Sequence, residues 1–310
     1  MSFASDVKKE LTMLEVHPEH AKAELAALIR LNGFIKMKHD KKLIIVQTEN
    51  AAIARRIYSL LKDLFDVQLE ISVRRRMKLK KNNVYFIRVL KDADLILKEL
   101  EIFEAMTENK NLPPSIKENE QKARSYLRGA FLARGSVNSP ETMSYHLEIH
   151  SNDAILNQDN YDLMEVFELN PKIHERKNGG YMTYLKEAEK IADFLGIIGA
   201  NNSLFHFEDI RIVRDMRNSV NRLVNCEQAN LNKTVDAARR QIEAILLIEE
   251  RLGLDNIDDK TRAIAQTRLE HPEASLKELG ELVPGKSISK SAANHRMRKL
   301  IKMAEEFDED

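Results

Sequence analysis

A chain of 310 residues with 43% hydrophobic and 32% charged side chains has room for two or three domains and the balance of a folded, helix-leaning protein. Its 49 basic and 49 acidic residues cancel, so an affinity for nucleic acid has to be read from local segregation of charge and not from a global excess. Cys226 stands alone, which excludes an internal disulfide framework and a multi-cysteine zinc site; no apolar run is long enough to cross a bilayer, and the opening "MSFASDVKKELTML" lacks the apolar core of a signal peptide.

"PEHAKAELAALIRLNG" has helical periodicity, with Pro18 in its first turn and Gly33 placed to end it. "FIKMKHDKKLIIVQT" alternates and reads as a hairpin turning at "HDKK". "NAAIARRIYSLLKDLF" is a helix capped by Asn50, "VQLEISVRRRMKLKKNNVYFIRVL" a second hairpin turning at "KNN", and "DADLILKELEIF" a closing helix. The polar, proline-bearing "NKNLPPSIKENEQ" is a linker. The order then begins again: a helix in "ARSYLRGAFLARG", a strand in "SYHLEIHS", a helix in "NQDNYDLMEVFE", a hairpin in "KIHERKNGGYMTYL" turning at "NGG", and a helix in "EAEKIADFLGIIGA". "NNSLFHFEDIRIVRD" follows with a short apolar patch around Leu204. A shared element order carried by different sequences indicates duplication at the scale of a domain. Beyond it come a long helix in "NLNKTVDAARRQIEAILLIEERLG", ending near Gly253, and another in "DNIDDKTRAIAQTRLEHP". In "ASLKELGELVPGKSISKSAANHRMRKLIKMAEEF" a capping box of Ser275 with Glu278 opens a short helix, "VPGKS" is a turn, and a basic helix follows: a helix-turn-helix. The expected divisions are a first repeat over 1–108, a linker over 109–121, a second repeat over 122–217, a connecting helical segment over 218–253 and the helix-turn-helix unit over 254–310.

The two repeats open on comparable helices, "LAALIRLNG" from Leu25 and "LRGAFLARG" from Leu127, both ending in glycine. Gly129 is the odd residue, because an interior helical glycine costs up to about 1 kcal/mol against alanine. Gly129 and Ala133 share one nearly bare helix face, so a close helix contact is expected, with Ala23, Ala26 or Ala27 opposite. These stretches resemble the LAGLIDADG motif of homing endonucleases, in which two such helices pack side by side and hold two four-stranded sheets in a DNA-straddling saddle. The resemblance implies an α+β fold: a two-repeat LAGLIDADG-like domain followed by an all-α helix-turn-helix domain. It also locates former catalytic positions. The penultimate motif residue is acidic in the nucleases and holds a divalent metal with hard oxygen ligands. Here it is Asn32 in the first motif and Arg134 in the second, and the residue two places earlier is Arg30 or Leu132. Arg134 carries a permanent positive charge where a cation would sit. The implied protein keeps the scaffold without the nuclease, with no catalytic residue, cofactor or metal.

In "QLEISVRRRMKLK" Leu69, Ile71, Val73, Met77 and Leu79 share one strand face, with Arg75 the exception, while Arg74, Arg76, Lys78 and Lys80 share the other. Lys36 and Lys38 sit opposite Ile35 and Met37, and Lys172, His174 and Arg176 lie together in the second repeat. A solvated face guarded by lysine against edge pairing explains this pattern; a second DNA-contacting surface explains it as well. His146, Glu148 and His150 in "HLEIH" share a strand face at a spacing that chance supplies, so no metal is expected there. Cys226 is expected to be a buried, inert thiol. "GKS" at Gly285 lacks the upstream glycine and strand of a phosphate-binding loop. The segment "EDIRIVRDMRNSVNRLVNCEQANLNKT" is crowded with arginine and asparagine, which suits an interaction surface or a hydrogen-bonded domain joint.

The final basic helix, "ISKSAANHRMRKLIK", carries the sharper signal. Ser287, Ser289, Lys290, Ser291 and Asn294 occupy the start of the segment, where a recognition helix meets base edges and phosphates, and His295, Arg296, Arg298 and Lys299 concentrate charge behind them. A degenerate LAGLIDADG scaffold, then "RDMRNSVNRLVNCEQANLNKT", then "SLKELGELVPGKSISKSAANHRMRKL" resembles the WhiA family of bacterial regulators over essentially the whole chain. The C-terminal unit is also similar to the promoter-reading domain of sigma factors. Family members act as sporulation transcription regulators in actinobacteria and are linked to cell division and chromosome segregation in low-GC Gram-positive bacteria. The resemblance implies a non-enzymatic protein of the cytoplasm and nucleoid, with double-stranded DNA as its partner, RNA polymerase or cell division proteins as further partners, and no membrane. Two other readings stand beside it: an interaction platform for those proteins with secondary DNA binding, and a surviving metal-dependent endonuclease, against which the missing acidic pair argues.

Overall fold

In both halves of the chain a helix ends and a sheet begins at the same glycine. Gly33 and Gly135 each donate their backbone N–H to the last helical turn and adopt extended geometry, so the chain passes straight into a strand. The computed structural model describes residues 2–38, 41–75, 83–177, 179–285 and 287–308. Residues 1–214 form one compact unit and 215–310 another. The first unit runs α1 (Phe3–Leu11), α2 (Pro18–Asn32), β1 (Gly33–Lys38), β2 (Lys41–Thr48), α3 (Ala51–Leu64), β3 (Leu69–Arg75), β4 (Asn83–Val89), α4 (Ala93–Glu99), α5 (Phe103–Thr107) and α6 (Pro114–Lys117). It continues with α7 (Glu120–Arg134), β5 (Gly135–Val137), β6 (Leu147–Ser151), α8 (Ala154–Glu165), β7 (Lys172–Glu175), β8 (Tyr181–Leu185), α9 (Ala188–Ile198) and the start of α10 (Asn201–Arg251).

The duplication is visible in the pairing. The first sheet has strand order β1-β2-β4-β3 and the second β5-β6-β8-β7, every pair antiparallel. This is the α+β architecture expected from the sequence. β5 adds to that expectation: three residues are too few to show a period, yet Gly135 pairs with Ile149 and Val137 with Leu147 and so complete the second sheet. The "HDKK", "KNN" and "NGG" turns include residues outside the described ones; in the last, Gly179 and Gly180 take φ of 85° and 83°, the left-handed geometry that such a turn requires.

The sheets share one core because α2 and α7 pack side by side. Ala26, Ala27, Leu28, Ala130 and Phe131 are fully buried, and Ala23 nearly so. Gly129 faces α2, as its bare helix face required. A Cβ there would lie 2.3 Å from the Glu24 carbonyl oxygen and 2.8 Å from Ala27 Cβ, so the helices touch backbone to backbone. Buried ionic ties surround this seam. Glu24, fully buried on α2, accepts from Arg56 Nε at 2.8 Å and from Arg128 Nε at 2.8 Å, joining α2 to α3 and α7. Arg30 donates to Asp159 Oδ2 on α8 at 2.8 Å, to the Tyr126 hydroxyl at 3.0 Å and to the Lys110 carbonyl at 3.2 Å. Asp159 also takes the Leu112 N–H at 3.1 Å and Lys117 at 2.9 Å, so the buried carboxylate is met by charge and hydrogen bonds together.

α10 departs from the sequence reading. It is continuous helix from Asn201, where only an apolar patch was expected, through the expected long helix. Its first turn is anchored by Glu10 of α1, whose carboxylate accepts from the Asn202 and Ser203 amides at 2.7 and 3.0 Å and from the Ser203 hydroxyl at 2.6 Å. A carboxylate at the positive end of a helix is stabilising, and this one comes from far away in sequence. Residues 215–237 of α10 are exposed throughout, which makes Cys226 an exposed thiol and not the buried one expected. The reason is that this stretch packs against nothing among the described residues.

The second unit closes around α10 by α11 (Asp259–Glu270), α12 (Leu276–Leu282) and α13 (Lys290–Asp308). Its core holds Ile245 and Ile248 of α10, Ile264 and Ala265 of α11, Leu279 of α12, and Ala293, Met297 and Leu300 of α13. Arg268, almost fully buried, donates Nε to Gln241 at 3.0 Å and Nη1 to the Ala274 carbonyl at 2.6 Å, so carbonyl and amide oxygens satisfy it.

Two stability outcomes follow from the seam. Gly129→Ala raises helix propensity by under about 1 kcal/mol, but overpacking costs about 1–3 kcal/mol, so packing wins and the variant melts lower by calorimetry, in the transition of the 1–214 unit. A variant as stable as the parent means that the helices separate without cost. Asp159→Asn leaves Arg30 buried without its counter-charge, and a loss of about 3–5 kcal/mol is expected in denaturant titration. A change under 1 kcal/mol, by rough comparison with an exposed ion pair, would contradict that role.

Candidate nucleic-acid interface

The second unit builds its exposed polar face from three local decisions. Ser275 and Glu278 form the capping box that starts α12, with both hydrogen bonds present at 2.8 and 3.3 Å. Gly280 then lets the segment leading into α13 pass against α12: its carbonyl accepts from Ile288 N at 2.8 Å, and a Cβ on Gly280 would lie 2.3 Å from the Ile288 oxygen. Ser289 starts α13, its hydroxyl accepting from Ala292 N at 3.2 Å. With Ala293, Met297 and Leu300 fixed inward, the helical period turns Lys290, Ser291, Asn294, His295 and Arg298 outward together. Lys290, Ser291, His295 and Arg298 are exposed, Asn294 is half-buried, and Ser287 and Ser289 are exposed just ahead of them. Lys286 lies outside the described residues.

Two cations expected on this face already have partners. Lys299 Nζ lies 2.7 Å from Asp258 Oδ2, and Lys299 and Thr261 hold the Asp258 carboxyl well below the usual carboxylate range. Arg296 donates to the Lys260 carbonyl at 3.4 Å. Both pin the start of α11 to α13. Lys290 and Arg298 form no ion pair among the described residues, so their charge is available to a ligand.

In the first unit the residues that end α2 and α7, Asn32 and Arg134, bond across the seam. Arg134 Nε donates to the Leu31 carbonyl of α2 at 3.2 Å, and Asn32 Nδ2 to the Ala133 carbonyl of α7 at 3.5 Å, so the last side chain of each repeat helix reaches across to the end of the other. Of the residues two places earlier, Arg30 is the buried tie described above and Leu132 is core. These side chains do not fit a divalent cation, since none is a carboxylate and two are arginines. Among the described residues no group of three or more His, Cys, Asp or Glu is arranged to hold a metal. His146 and His150 both point at Glu148, at 3.0 and 2.8 Å, and hydrogen bonds from the two rings draw its carboxyl below the usual range despite partial burial.

Sequence reasoning gave no sign of Lys8. From α1 it enters the cleft where α2 and α7 end, its ammonium 5.7 Å from the centre of the Phe131 ring. Burial, and then the charge of Arg134, push its pKa down to about 8. In sequence it is one lysine of an amphipathic "KKEL" turn, without a distinguishing neighbour.

The expected basic sheet face is only partly assembled. Lys36 on β1 and Arg74 on β3 are exposed, and the pairing register puts them on one face of the first sheet but on its two edge strands. Between them Arg88 is tied to Glu70 at 3.0 Å and to the Ser72 hydroxyl at 2.7 Å. Lys38 belongs to β1, while Arg76, Lys78 and Lys80 lie outside the described residues. On the second sheet Lys172 and His174 are exposed on edge strand β7.

Comparison with known proteins agrees with this division. The WhiA N-terminal LAGLIDADG-like domain matches residues 18–103, the WhiA LAGLIDADG-like domain residues 123–217, and the WhiA C-terminal HTH domain residues 220–304. The chain is 59% identical over 309 residues to a "Probable cell division protein WhiA" of Enterococcus faecalis, spanning 100% of this chain and 99% of that one. It is 58% identical over 310 residues to the protein of the same name from Latilactobacillus sakei, spanning 99% and 98%. Among solved structures, full-length WhiA from Thermatoga maritima aligns over 99% of both chains with a TM-score of 0.61 and 28% identity. Three domain matches in order, and relatives alike from end to end, place this chain in the WhiA family, with a degenerate LAGLIDADG-like body and a C-terminal helix-turn-helix domain.

Proposed function

We propose that this protein holds double-stranded DNA through α13 and does not cut it, and that it serves bacterial cell division and chromosome segregation at the nucleoid by regulating transcription. The observation that carries the reading is the outward row on α13: Lys290, Ser291, Asn294, His295 and Arg298 on a helix whose opposite face is locked into a core by Ala293, Met297 and Leu300. A helix held this way can enter a major groove with its backbone preset, so binding pays for ordering the side chains but not for forming the helix. Lys290 and Arg298 suit phosphates, while Asn294 and His295 have the donors and acceptors to read base edges. Arg296 and Lys299 act chiefly as braces between α11 and α13. The body contributes no hydrolysis, because the residues at the former metal positions are an asparagine and an arginine. The family's division-related names supply the cellular setting.

Lys290→Ala with Arg298→Ala is expected to weaken binding of the full chain to its duplex across sequences and to flatten the log–log salt dependence by about 0.9 unit for each phosphate no longer neutralised. Unchanged affinity and slope in a folded variant would move the DNA site away from α13. Incubation with supercoiled plasmid and magnesium or manganese is expected to leave the plasmid intact. Specific cutting that stops on chelation would overturn the non-nuclease reading.

A further inference from the structure

The cleft at the ends of α2 and α7 encloses about 480 Å³ and is lined by Lys8, Asn32, Gln47, Asn152 and Arg134, with Glu49 the carboxylate on its wall. We propose that this cleft is a phosphodiester site, in which Lys8 and Arg134 provide as fixed side chains the positive charge that a metal provides in the nuclease fold, and hold a backbone phosphate of duplex DNA uncleaved. The inference rests on the DNA-binding reading above and adds a second point of attachment to it.

Three features carry it. Lys8 and Arg134 are like charges brought together in a partly buried place, and neither forms an ion pair with a carboxylate among the described residues. An anion between Lys8 and Arg134 relieves the repulsion between them. The donors are also unfilled. The Lys8 ammonium makes no hydrogen bond among the described residues, and the exposed Arg134 engages its Nε, with the Leu31 carbonyl, while the rest of its fork stays open to a phosphate oxygen. Finally, neutralising the negative ends of the two helices explains only one of the cations. Arg134 does reach a terminal carbonyl, but Lys8 touches none, lying instead over the Phe131 ring. A bound phosphate meets no carboxylate-held metal here and no activated water, so it is gripped and not hydrolysed.

The test uses the full chain and three measurements. A Lys8→Met, Arg134→Met double variant is compared with Lys8→Arg, Arg134→Lys, which keeps both charges, after melting curves show both folded. The first is expected to reduce the salt slope of duplex binding by about 0.9 unit, the equivalent of one phosphate, and the second to retain it. Phosphate-ethylation interference should lose one position with the first variant only. Inorganic phosphate, at matched ionic strength, should raise the melting temperature of the parent but not of the methionine variant. An unchanged slope and interference pattern would overturn the proposal while leaving α13 as the DNA site. Stabilisation by inorganic phosphate with an unchanged slope would overturn it in favour of a site for free phosphate compounds. Loss of binding in the methionine variant, with none in the Lys290, Arg298 variant, would uphold this site and overturn the α13 reading.

Discussion

The body is built on one backbone contact. At Gly129 the helices of the two repeats approach until a single methyl group would strike a carbonyl oxygen 2.3 Å away. That distance fixes which way both helices face, and with it the sheets that leave them at Gly33 and Gly135. Small residues in the motif are thus explained by packing alone. The alanines and glycine of the seam therefore have a physical reason to be there.

The ends of the seam carry their own charge compensation. Helix C-termini concentrate negative partial charge, and two of them meet where α2 and α7 end. Asn32 and Arg134 answer this by donating to each other's helices. Deeper in, Arg30 pairs with Asp159 in the other repeat. That buried pair ties the two repeats together. Arg134 also lines the cleft that Lys8 enters.

What the sequence disclosed was local. Asn50 and the Ser275–Glu278 box cap their helices as read, because a cap needs only residues two or three positions apart. Gly129 was readable as a contact because a glycine inside a helix has few other reasons to be there. Pairings at long range were not readable. Nothing near Arg30 in sequence names Asp159, 129 positions on, and nothing near Asn201 points to Glu10 as the anchor that makes a helix of that stretch. β5 was too short to show a period. The basic stripe of alternating residues promised a cationic face, but register decides where such residues end up, and it sends Lys36 and Arg74 to opposite edges of a sheet. On α13 the residue types were legible while their partners were not: Lys299 and Arg296 bond to α11, which leaves Lys290 and Arg298 to the solvent side.

The most direct measurement is photocross-linking of the full chain to a bound, uniformly substituted duplex, with the attached peptides identified by mass spectrometry. Cross-links are expected in the peptides spanning Ser287–Arg298, and the DNA recovered from the complex with magnesium present should be unbroken. Cross-links confined to the edge strands β3 and β7, or strand breaks at the bound site, would contradict a DNA grip placed on α13 by a protein that does not cut.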